Sequence, residues 1–299
     1  MDTVAITGSS GLIGSALKKA LHKEQIPTLS LVRDAERVDP HSTLWKPLEK
    51  EIDTAALEGL EAVVHLAGEN IAKGRWTEKK KKRIHRSRVP ATHFLATMLA
   101  GLDRKPDVFI TASAVGYYGD TGDKRIDESQ PPGETFLARV CDEWEAATRP
   151  AVDAGIRTVH LRLGMVLSPE GGALKAMLPI FRLGLGGPVG GGRQWVSWVA
   201  LADATRAIRH IIRTPSISGP VNIASPEPVR QKDFAKALGR TLHRPTILPA
   251  PAFAVRLMLG EMADELLLSS VRLLPSRLQN HHFAFRFQTL ENYLQSVLG

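Results

Sequence analysis

Three glycines set directly behind a short apolar run, Gly8, Gly11 and Gly14, constrain this chain more than any other feature. The stretch from Thr3 to Gly14 reads TVAITGSSGLIG. Val4-Ala5-Ile6 shows no polar alternation, as expected of a parallel strand covered on both faces. A helical apolar pattern then runs through Leu17, Ala20 and Leu21. Strand, glycine turn and helix together read as the opening of a dinucleotide-binding unit. Gly8 permits the tight turn, Gly11 lets backbone approach a pyrophosphate, and Gly14 lets the helix pack on the strand. The unpaired N–H groups and positive dipole at the helix start favour phosphate. The spacing is GxxGxxG, one residue wider than GxGxxG. A glycine-rich turn of an unrelated α/β protein is the competing reading, and the flanking strand and helix favour the cofactor.

At 299 residues the chain can build one large domain or two. Hydrophobic content of 43% and charged content of 23% are those of a water-soluble globular protein. No apolar run reaches the length of a membrane span, and no basic segment followed by an apolar one opens the chain. No membrane partner and no cleaved leader are therefore expected. The single cysteine, Cys141, rules out an internal disulfide, argues against structural zinc and fits a reducing cytoplasm. The net charge is +8, densest over Lys79-Lys80-Lys81-Lys82-Arg83 with Arg86 and Arg88 beyond. Such a cluster could attract nucleic acid. Thr77 can cap a helix here, however, and Ile84, Val89 and Leu95 continue an apolar pattern. A solvated helix face, partly directed at a phosphate-rich cofactor, is the preferred reading.

Thr28-Leu29-Ser30-Leu31-Val32 reads as a second strand, followed by Arg33 and Asp34. An NAD-preferring fold carries an acidic residue at this strand end, whereas an arginine grips a 2′-phosphate. Arg33 favours NADP(H) over NAD(H); a one-residue shift would make Asp34 the ribose reader. A short strand near Thr43-Leu44-Trp45 precedes the buried strand Ala62–Leu66. That strand ends in Ala67-Gly68, small residues over which a cofactor can lie. A basic helix is predicted from about Thr77 to Ala100. Val108–Thr111 forms a fourth strand and delivers Ser113 and the pair Tyr117-Tyr118, hydroxyl groups able to meet a carbonyl or alcohol. Core packing and turn lining are the bland account of the two tyrosines. Phe136 to Ala154 reads as one helix containing a buried, inert Cys141. His160–Leu163 is the fifth strand, which completes a doubly wound parallel sheet.

Beyond Leu167 the rhythm changes. GLGGPVGGG, from Gly184 to Gly192, contains no GK[ST] and so no phosphate-binding P-loop; it is a substrate loop or a connector. A strand over Trp195–Trp198, a last short strand at Val221-Asn222-Ile223 and a helix from Gln231 to Leu242 follow. A proline-rich link through Pro245, Pro249 and Pro251 leads into a helical tail, in which Phe283, Phe285 and Phe287 alternate as in a strand. His281-His282 lacks a thiol or carboxylate partner, and no metal site is expected.

Taken together, TGSSGLIG, HLAGEN, SAVGYYG and HLRLGMVL resemble the extended short-chain dehydrogenase/reductases, which include nucleotide-sugar epimerases. FLARVCDEWEAA, FRLGLGGPVGGGRQWVSWVALAD and PAPAFAVRLMLGEMADELLLSSVRLLP look like the atypical epimerase-like family with a C-terminal domain of unknown function, loosely labelled a cell-division inhibitor. The resemblance covers essentially the whole chain. It implies an NAD(P)-binding Rossmann core over residues 1–167, with 193–224 returning to it. A smaller C-terminal α/β lobe spans 168–299 and includes the tail 245–299. Carried over by residue, Gly8, Ser10, Gly11, Leu12 and Ile13 would meet the pyrophosphate, Arg33 the 2′-phosphate, and Leu66, Ala67 and Gly68 the adenine-ribose side. Arg88 stands where epimerases carry an Asn, Ser113 matches the active-site serine, and Val166 lies by the nicotinamide end.

One departure bears on mechanism. Active members use YxxxK, with Tyr as acid/base, whereas the matching helix reads Phe136-Leu137-Ala138-Arg139-Val140. Loss of a positioned acid/base forfeits about 10²–10⁴ in rate. Three functions are therefore weighed. The first is an atypical NADP-dependent oxidoreductase or epimerase-like enzyme, with Ser113 orienting an unknown small-molecule substrate and Tyr117 giving the proton. The second is a non-catalytic NADPH-binding sensor or interaction protein, and the third, least supported, a nucleic-acid binder. A homodimer is left open.

Overall fold

The computed structural model describes residues 3–299. The first half runs β1 (Val4–Thr7), α1 (Leu12–Lys23), β2 (Thr28–Val32), β3 (Ser42–Lys46), β4 (Glu51–Ile52), β5 (Ala62–His65), α2 (Glu78–Arg86), α3 (Val89–Ala100) and β6 (Val108–Ala114). It continues through β7 (Arg125–Ile126), α4 (Phe136–Ala146), α5 (Arg149–Asp153), β8 (Arg157–Leu163), β9 (Met165–Leu167) and α6 (Gly172–Arg182). Then come β10 (Trp195–Val196), β11 (Trp198–Ala200), α7 (Leu201–Arg213), β12 (Gly219–Ile223), β13 (Val229–Arg230) and α8 (Gln231–Thr241). The tail holds α9 (Ala252–Leu259), α10 (Glu261–Ala263), β14 (Arg272–Leu273), α11 (Ser276–Asn280) and α12 (Leu290–Leu298).

The main sheet has eight strands in the order β12-β8-β6-β5-β1-β2-β3-β4, parallel except at the β3–β4 edge. From β1 the chain winds outward to β3 on one side and then to β12 on the other. The crevice at the carboxyl ends of β1 and β5 is thus the switch point where ligands gather in such sheets. Successive side chains of β1 enter opposite layers. Val4 and Ile6 pack with Leu17 and Leu21 of α1 and Ile208 and Ile211 of α7. Ala5 packs with Ala91, Leu95 and Leu99 of α3. Both faces are covered, which is why the strand lacks polar alternation. Each such aliphatic side chain contributes about 1.5–3 kcal/mol on burial.

Residues 219–223 return to the main sheet as β12, with α7 over it. A smaller lobe closes around Phe181 of α6, Trp198 of β11, Phe234 of α8 and Tyr293 of α12. The tail also reaches back: β14 pairs with β7, and Leu278 joins the core over α1 and α7.

Four predicted elements differ. The strand expected over 195–198 is two, β10 pairing with β13 and β11 with β9, each outside the main sheet. The helix expected over 77–100 is two, because Pro90 lacks an N–H and cannot continue the ladder; Arg88 turns out of it at φ −113°. The helix expected over 136–154 likewise breaks before Pro150. Phe283, Phe285 and Phe287 belong to no strand. The amides of Arg286 and Phe287 are taken by the buried carboxylate of Asp203, each at 2.9 Å. Phe283 and Phe285 fill the core over α1, while Phe287 packs in the other lobe. Side-chain capture of the backbone replaces the ladder.

Candidate functional site

The glycine turn has the geometry its sequence demands. Gly8 sits at φ +68°, a left-handed value that side chains avoid, and its N-terminal neighbours end β1. A Cβ at Gly14 would lie 2.3 Å from the Gly8 carbonyl oxygen, so only glycine lets α1 approach this closely. Gly11 donates its N–H to Gly8 at 2.9 Å and is the N-cap of α1, where no side chain caps the helix. The first turn holds no acidic residue. The amides of Leu12 and Ile13 therefore point out of an uncapped, positively polarised helix end. Ser10 and Gly11 are exposed beside it. This is the donor set a pyrophosphate requires.

Beneath the turn lies a buried relay. Thr7 Oγ1 accepts the N–H groups of Leu66 (3.2 Å) and Ala67 (3.1 Å), so its own proton goes to His65 Nδ1 at 2.7 Å. His65 must then donate from Nε2 to Thr92 Oγ1 at 2.9 Å, where the donor-only indole of Trp144 also ends, at 2.7 Å. Burial, with the Arg88 charge adding to it, pulls His65 down to about 3, and the ring stays neutral. The relay fixes Leu66 and Ala67 against Gly8, where a Cβ would meet Ala67 N at 2.9 Å. Gly68 is shaped by Arg88. Its Cβ would stand 3.2 Å from the guanidinium, which donates to Glu69 O at 3.1 Å and Ile84 O at 3.2 Å. Arg88 thus props the Gly68–Glu69 turn.

Arg33 is exposed just past the end of β2. Asp34, its competitor, accepts the Glu36 N–H at 3.1 Å and so starts a 3-10 turn over Ala35–Arg37. Val166 lies in β9, beside Val199 of β11. The segment that follows returns to the glycine turn: a Cβ on Gly171 would lie 3.0 Å from Leu12 Cδ1.

The end of β6 is built differently. Ser113 is buried and donates to Glu145 Oε1 of α4 at 2.7 Å. Arg162 of β8 grips the same carboxylate with Nε and Nη2, each at 2.9 Å, a bidentate pair almost without solvent. Its remaining nitrogen reaches Tyr118 OH at 2.9 Å, and that hydroxyl donates to Asn222 at 2.7 Å. Tyr117 lies with its ring centre 3.5 Å from the Arg162 guanidinium carbon. Burial opposes charge on Arg162, yet Glu145 outweighs it and holds the cation. Burial pushes the Tyr117 phenol up, against the pull of Arg162, and Tyr118 up to about 12. Cys141 is driven to about 12 by burial, which makes it inert.

The start of α4, where the YxxxK tyrosine would stand, holds Phe136, edge-on to Trp76 at 5.5 Å. Thr135 caps the helix by accepting from Ala138 N at 3.2 Å. The tail supplies Glu265, whose two oxygens accept Phe136 N at 3.0 Å and Leu137 N at 2.7 Å. A cleft of about 220 Å³ beside it is lined by Gly116, Thr135, Leu137, Arg256 and Glu265.

The structure thus gathers Gly8, Ser10, Gly11, Leu12, Ile13, Leu66, Ala67 and Gly68 around one crevice, with Arg33 at the neighbouring strand end. It commits Ser113 and Tyr117 to an internal ion-pair network. Sequence reasoning missed Glu145, Arg162 and Glu265. Arg162 did carry a signal, since a charge inside an apolar strand must find a partner. Glu265 carried none.

Two family models divide the chain: the NAD dependent epimerase/dehydratase family over residues 4–224, and a domain of unknown function, DUF1731, over 250–297. An epimerase family protein of Mycobacterium bovis is 46% identical over 287 residues, covering 96% of this chain and 94% of its own length. The chloroplastic SDR39U1 homolog of Arabidopsis thaliana is 34% identical, covering 99% and 86%. The crystal structure of human epimerase family protein SDR39U1 with NADPH superposes with a TM-score of 0.91 at 30% identity, covering 99% of each chain. Among the described residues, no helix is long and apolar enough to cross a membrane and no three His, Cys, Asp or Glu side chains form a metal cluster.

Proposed function

The chain belongs to the NAD-dependent epimerase/dehydratase family, and on that premise we propose that it binds NADP(H) in preference to NAD(H) while lacking the Tyr–Lys proton relay. The observation that carries this reading is the uncapped start of α1 behind Gly8 and Gly11. Leu12 and Ile13 would give their amides to the pyrophosphate, with Ser10 at its edge. Arg33 would grip the 2′-phosphate through its planar fork, while Asp34 is occupied in its own turn. Leu66, Ala67 and Gly68 would flank the adenine-ribose side, Arg88 would hold their turn in shape, and Val166 would border the nicotinamide end. The NADPH in the human relative supports the same choice of cofactor. Residues 1–167 with 201–224 would form the cofactor core, and the rest of 168–299, with β10 and β11, the substrate or partner side.

Bound NADPH would supply a hydride. The residues around it would supply position without the usual proton donor, since Phe136 has no hydroxyl and Ser113 gives its proton to Glu145. Binding of cofactor, rather than fast turnover, is then the primary property. A second reading, an atypical oxidoreductase or epimerase-like enzyme acting on a small carbonyl compound, has one observation behind it. The Tyr117 phenol keeps its proton through neutral pH and stands beside a fixed cation, Arg162.

Calorimetric titration of cofactor-stripped protein with NADPH and NADH tests the first reading. NADPH should bind tighter, and Arg33→Ala should weaken NADPH about 10–100-fold while leaving NADH unchanged. Equal affinity for both cofactors would remove the 2′-phosphate assignment. Carbonyl-dependent consumption of NADPH that Tyr117→Phe abolishes would establish the second reading.

A further inference from the structure

Apart from Val38, Leu48 and Val152, the large apolar side chains left in solvent come from residues 180–185 and 247–267. Ile247 is 79% exposed, Leu257 76%, Leu183 74%, Phe253 73% and Met258 71%, with Leu185 beside them at 57%. They come from two segments that the fold ties together. Arg244 Nε donates to Arg182 O at 2.7 Å, Ala250 N to Pro188 O at 2.8 Å, and Gly190 N to Ala250 O at 2.8 Å. The GLGGPVGGG loop and α9 with its proline-rich approach therefore make one face. Six large apolar side chains, each more than half exposed, stand on it, where a monomer ordinarily shows an apolar patch of a few hundred Å². α9 itself is apolar on both sides, with Val255 buried and Phe253 and Leu257 outward. Apart from Arg256, every residue of α9 is apolar, and its outward side chains Phe253, Leu257 and Met258 are uncovered.

Charge says what covers it. The segments that make the face, 182–190 and 244–259, carry Arg182, Arg244 and Arg256 and no Asp or Glu, and the nearest acids, Glu261 and Asp264, are paired with Lys81 and Arg256. Arg182 and Arg244 are exposed at its rim; Arg256 on α9 is paired with Asp264 at 2.8 Å. A second copy docked on the same face would bring like-charged rims together, which costs affinity. A surface that is anionic at its edge and apolar beneath satisfies both halves of the pattern. We infer that this face seats the protein on the anionic leaflet of a lipid bilayer, with the side chains of Phe253, Leu257 and Leu183 entering the headgroup–acyl boundary and the arginines meeting lipid phosphates. No helix among the described residues is long enough to span, so the protein lies on the membrane rather than in it. The absence of a spanning segment, which argued against a membrane partner, does not bear on this mode.

Co-sedimentation of the full chain with phosphatidylcholine vesicles, with and without a quarter phosphatidylglycerol, tests the inference. The protein should pellet with the anionic vesicles, and high salt should release most of it. The double variant Phe253→Ser, Leu257→Ser should partition about tenfold more weakly or worse, with its NADPH titration unchanged as proof of folding. Failure to pellet with anionic vesicles would overturn the proposal, as would equal pelleting with neutral ones. So would a light-scattering mass of two copies that the double variant reduces to one, since that would assign the face to self-association.

Discussion

Two helices of this molecule, α1 behind β1 and α4 packed at the end of β6, offer the same group, a first turn of amides outside the helix ladder with a positive dipole. They are finished in opposite ways. α1 begins at Gly11 with no side-chain cap and no acid in its first turn. α4 begins at Thr135, which caps it, and the tail's Glu265 takes the next two amides. The first end is left open; the second is satisfied by the chain itself. Whether such an end is a binding site is thus decided by the cap residue and by what the rest of the chain brings to it, not by the helix. The side chains nearby follow suit. Around α1 they are glycines and a neutral histidine relay, around α4 a closed ion-pair network.

The largest expected effect is at the closed end. Arg162→Met strands the Glu145 carboxylate, which is 11% exposed, without its bidentate partner. Unfolding stability should fall by about 3–5 kcal/mol in urea titration. A loss no larger than that of a surface substitution would mean that the network is not closed to water. At the open end, Gly14→Val forces a branched side chain into the Gly8 carbonyl and should cost about 3 kcal/mol while abolishing NADPH binding. Retained binding would show that the turn does not form the cofactor cradle.

A pH titration separates the two ends further. His65 titrates at about 3 in the fold against an ordinary 6.5. Its folded pKa is depressed, so the unfolded chain takes up the proton first as pH falls. The stability it protects is complete above about 6.5 and is lost progressively toward 3, by about 2 kcal/mol at pH 5. His65→Gln should flatten that slope by this amount relative to wild type; His160, also buried and lowered, accounts for part of what remains. The smallest change is Glu265→Gln, which weakens the charge on the α4 amides and should cost about 1 kcal/mol with cofactor affinity unaltered.

The open end was legible because its chemistry is local. Gly8, Gly11 and Gly14 are contiguous with the strand and helix they join, and Thr77 caps α2 as its position implied, accepting Lys80 N at 3.2 Å. The closed end was not, because Ser113, Glu145 and Arg162 meet only once β6, α4 and β8 are assembled. Glu265 arrives from a tail segment whose sequence shows nothing but helix-forming residues. The prolines at 90 and 150 did mark helix breaks, but apolar spacing continued across both and concealed them. Alternating phenylalanines misled for a related reason. Their spacing is that of a strand, yet the amides were claimed by Asp203, a side chain some 80 residues earlier by the tie to Arg286 and Phe287.

Amide hydrogen exchange, read at single residues with and without NADPH, tests the contrast most directly. Leu12 and Ile13 should exchange fast in the free protein and slow when NADPH is added, while Phe136 and Leu137, held by Glu265, should be protected to the same degree in both states. Protection gained at Phe136 and Leu137, with Leu12 and Ile13 unchanged, would place the anion at the wrong helix and contradict the account.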